Sequence, residues 1–211
     1  IFQDPFASLD PRMSVSELIA EPLVIYKEYS SKADLAQKVA KLMDTVGLAS
    51  RLHNAYPHEL DGGRRQRIGL ARAFALNPKL IVCDEPVSAL DVSIQAQILN
   101  LMQDIQEERN LTYLFITHNM AVVKHISNDI LVMYLGTVVE RASSAGIFRH
   151  RLHPYTKALL SAVPIPSLRV KRERHLIRGE ITSPIDPKPG CRFANRCDYT
   201  TEECFNITPE I

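Results

Sequence analysis

The sequence has no apolar run approaching the ~20 residues of a membrane-spanning helix. Any membrane association must therefore run through a partner. It also lacks an excess of one charge: 25 lysines and arginines stand against 24 aspartates and glutamates, a formal net charge of +1. That balance gives no argument for nucleic acid binding. Neither an initiator methionine nor a signal peptide opens Ile1-Phe2-Gln3-Asp4-Pro5-Phe6, so the expectation is a chain entered in mid-domain. No internal repeat and no low-complexity linker stands out. Cysteine is scarce, with four residues, and three of them crowd near the end. In an intracellular setting such a cluster reads as a metal site rather than as disulfides.

What is present is an ordinary globular composition, 45% hydrophobic and 23% charged over 211 residues. That suffices for one domain with a sizeable core or two small ones. Asp-Pro at 4–5 and again at 10–11 marks a turn-rich start. Ser14-Val15-Ser16-Glu17 has the capping-box spacing and opens a helix through Leu18, Ile19 and Leu23. Ser31 and Asp34 open a second, with Leu35, Val39, Leu42, Met43 and Val46 at helical spacing and Gly47 as its C-cap. A third helix runs from about Gly63 to Leu76, ahead of Asn77-Pro78. Residues 79–84 form a short apolar run suited to a strand buried on both faces. Residues 92–108 read as a helix with Ile94, Ile98, Leu101, Met102 and Ile105 on one stripe. A strand over 111–117, a short helix over 120–126 and strands over 129–135 and 137–141 follow. The alternation implies an α/β sheet with helices on its faces. Helices around 143–149 and 155–162 then lead into a basic tail carrying six prolines, from Pro164 to Pro209.

The chemistry concentrates between Glu59 and Asp91. Leu80-Ile81-Val82-Cys83 delivers two carboxylates, Asp84 and Glu85, to the end of a strand. One can hold Mg²⁺. The other points elsewhere, because side chains alternate along a strand, and can polarise a water. A solvated acidic strand end is the plain alternative. Gly62-Gly63 at a helix start allows close backbone approach, and the helix dipole favours an anion there. By itself a di-glycine is a turn. Here Arg64-Arg65-Gln66-Arg67 follows it and the acidic strand end comes about twenty residues later. His118 closes the strand Leu114-Phe115-Ile116-Thr117, a place where a lone histidine is more often structural than catalytic.

The stretch ELDGGRRQRIGLARAFALNPKLIVCDEPVSALD resembles the signature motif, Walker B strand and D-loop of ABC-type ATPases. Gln3 matches the Q-loop glutamine and His118 the switch histidine, in the family order. The resemblance implies a partial RecA-like P-loop NTPase core of α/β class, with a helical insertion and a C-terminal extension. It divides the chain into a Q-loop segment (1–13), a helical subdomain ending in the signature (14–62), a catalytic core (63–142) and the extension (143–211). It implies ATP and Mg²⁺ as cofactors. Glu85 and His118 would be catalytic, Asp84 the Mg²⁺ ligand, and Gln3, Asp61, Gly62, Gly63, Arg64 and Asp91 nucleotide contacts. His153-Pro154-Tyr155-Thr156-Lys157-Ala158-Leu159-Leu160, then Val163-Pro164, is similar to the extension of oligopeptide/dipeptide importer ATPases. Those pair with a second ATPase subunit on two membrane permeases at the cytoplasmic face of the cell membrane, and a peptide-binding protein delivers the substrate. Cys191, Cys197 and Cys204 resemble the cysteines with which some members hold a [4Fe–4S] cluster; zinc competes for such thiolates, and three free thiols are the bland reading.

Two departures from the family stand out. No G-x-x-x-x-G-K-[ST] occurs in the 211 residues, so the phosphate-cradling loop is expected upstream of Gln3 and ATP binding by this chain alone is expected to be weak. The signature's usual Leu-Ser-Gly-Gly-Gln is here Leu60-Asp61-Gly62-Gly63-Arg64. An ionised Asp repels phosphate: one charge pair at ~4 Å and an effective dielectric of ~20 is worth about 4 kcal/mol. Asp is also a good N-cap and can turn onto its own helix instead. Two rivals to a peptide importer remain: a non-transport ABC ATPase acting on DNA or ribosomes, and a weakened regulatory subunit.

Overall fold

A computed structural model describes residues 1–163, 175–181, 183, 185, 187 and 189–209. Two compact units divide the chain, Ile1–His118 and Asn119–Ile211. Pro164, Pro166 and Pro184 of the proline-rich tail lie outside the described residues.

The first unit begins with three helices whose boundaries follow local chemistry. α1 (Val15–Ile25) carries the full capping box between Ser14 and Glu17. α2 (Lys32–Thr45) is capped by Ser31, whose hydroxyl accepts the Asp34 N–H. Beyond α2, Gly47 takes φ +66, the left-handed turn that ends many helices. α3 (Gly62–Phe74) starts at Asp61, whose carboxylate accepts the Arg64 N–H at 2.8 Å. Leu18, Ile19, Val39, Met43, Ile68 and Phe74 are fully or nearly fully buried and form the core.

β1 (Leu80–Asp84) pairs in parallel with β2 (Thr112–Ile116), with Asp84 opposite Ile116. α4 (Val92–Arg109) lies between them in sequence and buries Ile98, Leu99, Met102 and Ile105. The predicted stripe named Leu101, which is only partly buried, and missed Leu99. The expectation of a strand buried on both faces is corrected. Ile81 and Cys83 are buried, but Leu80 is 55% and Val82 46% exposed. On β2, Leu114 and Ile116 are each 49% exposed. That face of the pair is therefore about half open.

The single sheet expected from the alternation is also corrected. The second unit has its own two-stranded antiparallel sheet, β3 (Asp129–Tyr134) with β4 (Thr137–Ser143). Leu135 and Gly136, at φ +45 and +79, join them. Two consecutive positive φ values make a type I′ hairpin turn, which sends the chain back on itself. α5 (Met120–Ile126) precedes the hairpin, and α6 (Ser144–His150) and α7 (Pro154–Ala162) follow it. Ile130, Val132, Ile147 and Leu160 form this unit's core. A short α8 (Glu203–Asn206) closes the described chain.

Candidate functional site

Ile1 sets the geometry. Along β1, the N–H of Glu85 reaches β2, donating to the Ile116 carbonyl at 2.9 Å. On the other edge, Asp84 N–H donates to the Ile1 carbonyl at 2.9 Å, and the Ile1 nitrogen donates to the Val82 carbonyl at 2.7 Å. Alternate β1 residues bond to opposite edges, so the start of the chain runs beside β1. That brings Gln3 to the end of the strand.

There Gln3 Nε2 donates to Glu85 Oε2 at 2.8 Å, and His118 Nδ1 lies 2.6 Å from Glu85 Oε1. Both carboxylate oxygens are therefore engaged, by residues more than 30 positions away in each direction. Glu85 itself sits at φ +45, an uncommon conformation for a non-glycine residue. The turn carries Glu85 out of the strand, and Ser88 N–H and hydroxyl both bond to its carbonyl, at 3.2 and 3.0 Å. The neighbouring His118 ring holds the Glu85 carboxyl below the usual carboxylate range, with Ser88 and Gln3 helping. The lowered pKa keeps this group ionised near neutrality. Glu85 is 20% exposed and His118 76% exposed, so the pair is open to a ligand.

Asp84 is exposed at the end of β1. A single carboxylate there suits an ion such as Mg²⁺ that takes its remaining ligands from phosphate and water. Beneath it, burial pushes the Cys83 thiol up to about 12, so Cys83 is an inert core residue. The structure thus brings Gln3, Glu85 and His118 together beside Asp84.

Asp61, Gly62, Gly63 and Arg64 form a second cluster at the N-terminus of α3. A Cβ on Gly62 would lie 3.1 Å from Leu90, and one on Gly63 2.7 Å from Ile94. A side chain at Gly63 would force Ile94 at the start of α4 to shift, and one at Gly62 would crowd Leu90. Asp91 is the N-cap residue of α4, yet its side chain makes no capping bond. Asp61 remains exposed and turns onto its own helix: one oxygen caps α3, and the other lies 3.4 Å from Arg64 Nε.

Sequence reasoning missed two features. One is the pinning of Ile1 on β1, which no motif announces. The other is Gln66, 2% exposed, whose Nε2 has no hydrogen-bond partner. It lines a groove of about 310 Å³ between residues 1–9, α1 and α3, with Phe2, Ile25 and Tyr26 on the walls and the Arg72–Glu21 ion pair at the side. An amide on the inward face of an amphipathic helix was the available signal.

Among the described residues no three His, Cys, Asp or Glu side chains gather as a metal site. Cys191 and Cys204 meet through backbone, N–H to carbonyl at 2.7 Å. Their neighbours' groups engage the sulfurs separately: Tyr199 N–H faces Cys197 Sγ and the Thr201 hydroxyl faces Cys204 Sγ, both at 3.4 Å. No described helix is long and apolar enough to cross a membrane.

The family model for "ABC transporter" matches residues 1–88, and that for "Oligopeptide/dipeptide transporter, C-terminal region" matches residues 139–204. The chain is 53% identical to the oligopeptide transport ATP-binding protein OppF of Haemophilus influenzae, over 99% of this chain and 64% of that protein. It is 54% identical to OppF of Salmonella typhimurium over 100% of this chain and 64% of that protein. The dipeptide transport ATP-binding protein DppF of Haemophilus influenzae is 47% identical, again over 100% and 64%. The chain therefore spans about 64% of the length of these curated relatives. Among solved structures, the dimeric post-hydrolysis ATP-binding cassette MJ0796 bound to ADP and Pi aligns with a TM-score of 0.60 at 28% identity, covering 68% of this chain and 61% of that one. CbiO1 from Clostridium perfringens aligns with a TM-score of 0.64 at 24% identity, over 72% and 59%, a likeness of fold.

Proposed function

This chain belongs to the ATP-binding proteins of ABC transporters, in their oligopeptide/dipeptide branch, and on that premise we propose that it hydrolyses ATP to power import of di- or oligopeptides. Its fold is a partial RecA-like ABC ATPase core. The observation that carries the reading is the Glu85 carboxylate held between the Gln3 amide and the His118 ring. Glu85 orients the attacking water and accepts its proton. His118 positions the terminal phosphate, and Gln3 links the site to the membrane partner. Asp84 would hold Mg²⁺, which supplies charge neutralisation at the phosphates. Asp61, Gly62, Gly63 and Arg64, with Asp91 beside them, face ATP held by a second ATPase subunit. Such catalysis is mostly positioning plus electrostatics.

The partners in this reading are that second subunit and two membrane permeases, with the chain at the cytoplasmic face of the membrane. A peptide-binding protein acts through the permeases. The groove floored by Gln66 supports a permease contact, since apolar walls and one unanswered donor suit a segment that offers a carbonyl. Residues 1–13, 14–62, 63–142 and 143–211 then serve as Q-loop segment, helical subdomain, catalytic core and extension.

The test is Glu85→Gln in the importer reconstituted in vesicles with its partner ATPase and permeases. ATP turnover is expected to fall by at least about 100-fold, with ATP still bound. An unchanged rate sinks the reading. A second reading, a weakened regulatory subunit of a heterodimeric pair, is favoured by the turn of the Asp61 carboxylate onto its own helix. Asp61→Ser in the same assembly separates the two: a large gain in turnover supports the weakened site, and no change removes it.

A further inference from the structure

The run His153-Pro154-Tyr155-Thr156 opens α7 in the second unit and takes no part in the proposed reaction. Pro154 has no N–H to satisfy, so Tyr155 brings the first free donor of this helix. The His153 ring meets it: the Tyr155 N–H donates to Nδ1 at 3.1 Å. A backbone N–H can only donate. Nδ1 is therefore unprotonated, and the neutral ring carries its proton on Nε2. Glu140 of β4 fixes the approach to this cap, its two oxygens accepting the Leu152 and His153 N–H groups at 2.8 and 3.0 Å.

The same imidazole packs on a turn distant in sequence. Phe193 is 2% exposed. Three rings surround it, with centroids 5.4 Å away for His153, 5.2 Å for Tyr134 of β3 and 5.7 Å for Tyr155. Arg196, on the same turn as Phe193, donates from Nη1 to the Tyr134 hydroxyl and from Nε to the Arg178 carbonyl, both at 3.2 Å. Lys157, one turn into α7, lies over the Tyr199 ring. Glu140 is the charge that bears on His153, and it favours the imidazolium. Burial of the ring opposes it and prevails, holding His153 below its ordinary value of 6.5. A proton on Nδ1 would set two N–H groups against each other at the start of α7 and put a cation among the rings around Phe193.

We propose that His153 is a proton-operated latch: neutral, it caps α7 and closes the ring cluster over Phe193; protonated at Nδ1, it leaves the Tyr155 N–H and frees the 190–197 turn. The closed form excludes the proton, so it is favoured above the ordinary histidine value and lost as pH falls through the lowered one. The test is NMR of the full 211-residue chain across about pH 5–8. His153 Nδ1 should resonate as an unprotonated nitrogen at the upper end, with a titration midpoint below 6.5. Hydrogen-exchange protection of the Tyr155 amide should fall about tenfold toward the acid end, the loss of one hydrogen bond. The amide shifts of residues 190–197 should follow the same midpoint. His153→Asn keeps an N-cap acceptor that does not titrate, so Tyr155 should stay protected throughout and the 190–197 shifts should lose their pH dependence. Glu140→Gln removes the charge that favours the imidazolium and should move the His153 midpoint lower still, a shift that packing alone would not produce. A Tyr155 amide equally protected at both ends of the range overturns the proposal. So does a 190–197 response that survives in His153→Asn, or a midpoint that Glu140→Gln leaves in place or raises.

Discussion

The Glu85 carboxylate is the residue on which the site turns. Both its oxygens are bonded, one to a glutamine from the chain start and one to a histidine from β2's end. The His118 contact is the leading cause of its depressed pKa, so His118→Ala should let the Glu85 carboxyl rise toward the ordinary range. Carbon-detected NMR of the Glu85 side chain across pH 2–7 reads this directly. The sign follows from linkage: a carboxyl depressed by folding adds stability above its unfolded pKa and loses it as pH falls through the folded value. The parent should therefore lose this contribution in acid, over a window at and below the usual carboxylate range, and the variant should lack that part of the dependence. A Glu85 titration unmoved by the substitution would separate the histidine from the acidity. At this scale the sequence was legible where motif order gave each residue its place. Glu85, His118 and Gln3 were named from that order, and the structure brings them into contact. The positive φ of Glu85 was not legible, since nothing in Asp-Glu-Pro announces a left-handed turn. The alternative raised for Asp61, a turn onto its own helix, is the one the structure adopts.

Among the elements, helices were read well because their ends are written in short-range chemistry. Ser14 with Glu17, Ser31 with Asp34, and Gly47 each act within a turn or less, so neighbouring residues suffice to place them. Strands were located but their surroundings were not. A run such as Leu-Ile-Val-Cys is what a strand covered on both faces looks like, yet cover is supplied by residues distant in sequence. In this chain Ile81 and Cys83 have it, and Leu80, Val82, Leu114 and Ile116 do not. A row of apolar side chains open on a parallel pair is an aggregation hazard. Val82→Thr with Leu114→Thr should raise the solubility limit of the chain, since threonine keeps strand propensity while shortening the apolar face. Because both positions are about half exposed, urea unfolding should shift by no more than about 0.5 kcal/mol each. A loss well beyond that would mean the face is covered in solution.

Across the whole chain, the pairing of strands could not be read from alternation alone. The rule that strand, helix, strand builds one sheet holds for β1 and β2 and stops at the type I′ turn of Leu135-Gly136, which closes β3 and β4 onto each other. The division into Ile1–His118 and Asn119–Ile211 falls just after the candidate histidine. Gln3, Glu85, His118 and the start of α3 thus all belong to the first unit. That unit holds groups able to orient a water and to meet phosphate, and its sequence holds no Gly-rich loop with a lysine to wrap a triphosphate. Tight nucleotide sites of this chemistry depend on such a cradle together with Mg²⁺. Calorimetry of the 211-residue chain with Mg²⁺ and ATP should consequently show no tight, Mg²⁺-dependent site. Whatever ATP it binds should be weakened by added salt, as expected for contacts between partly exposed charges. Micromolar binding that requires Mg²⁺ and discriminates ATP from tripolyphosphate would mean that these residues build a cradle of another kind.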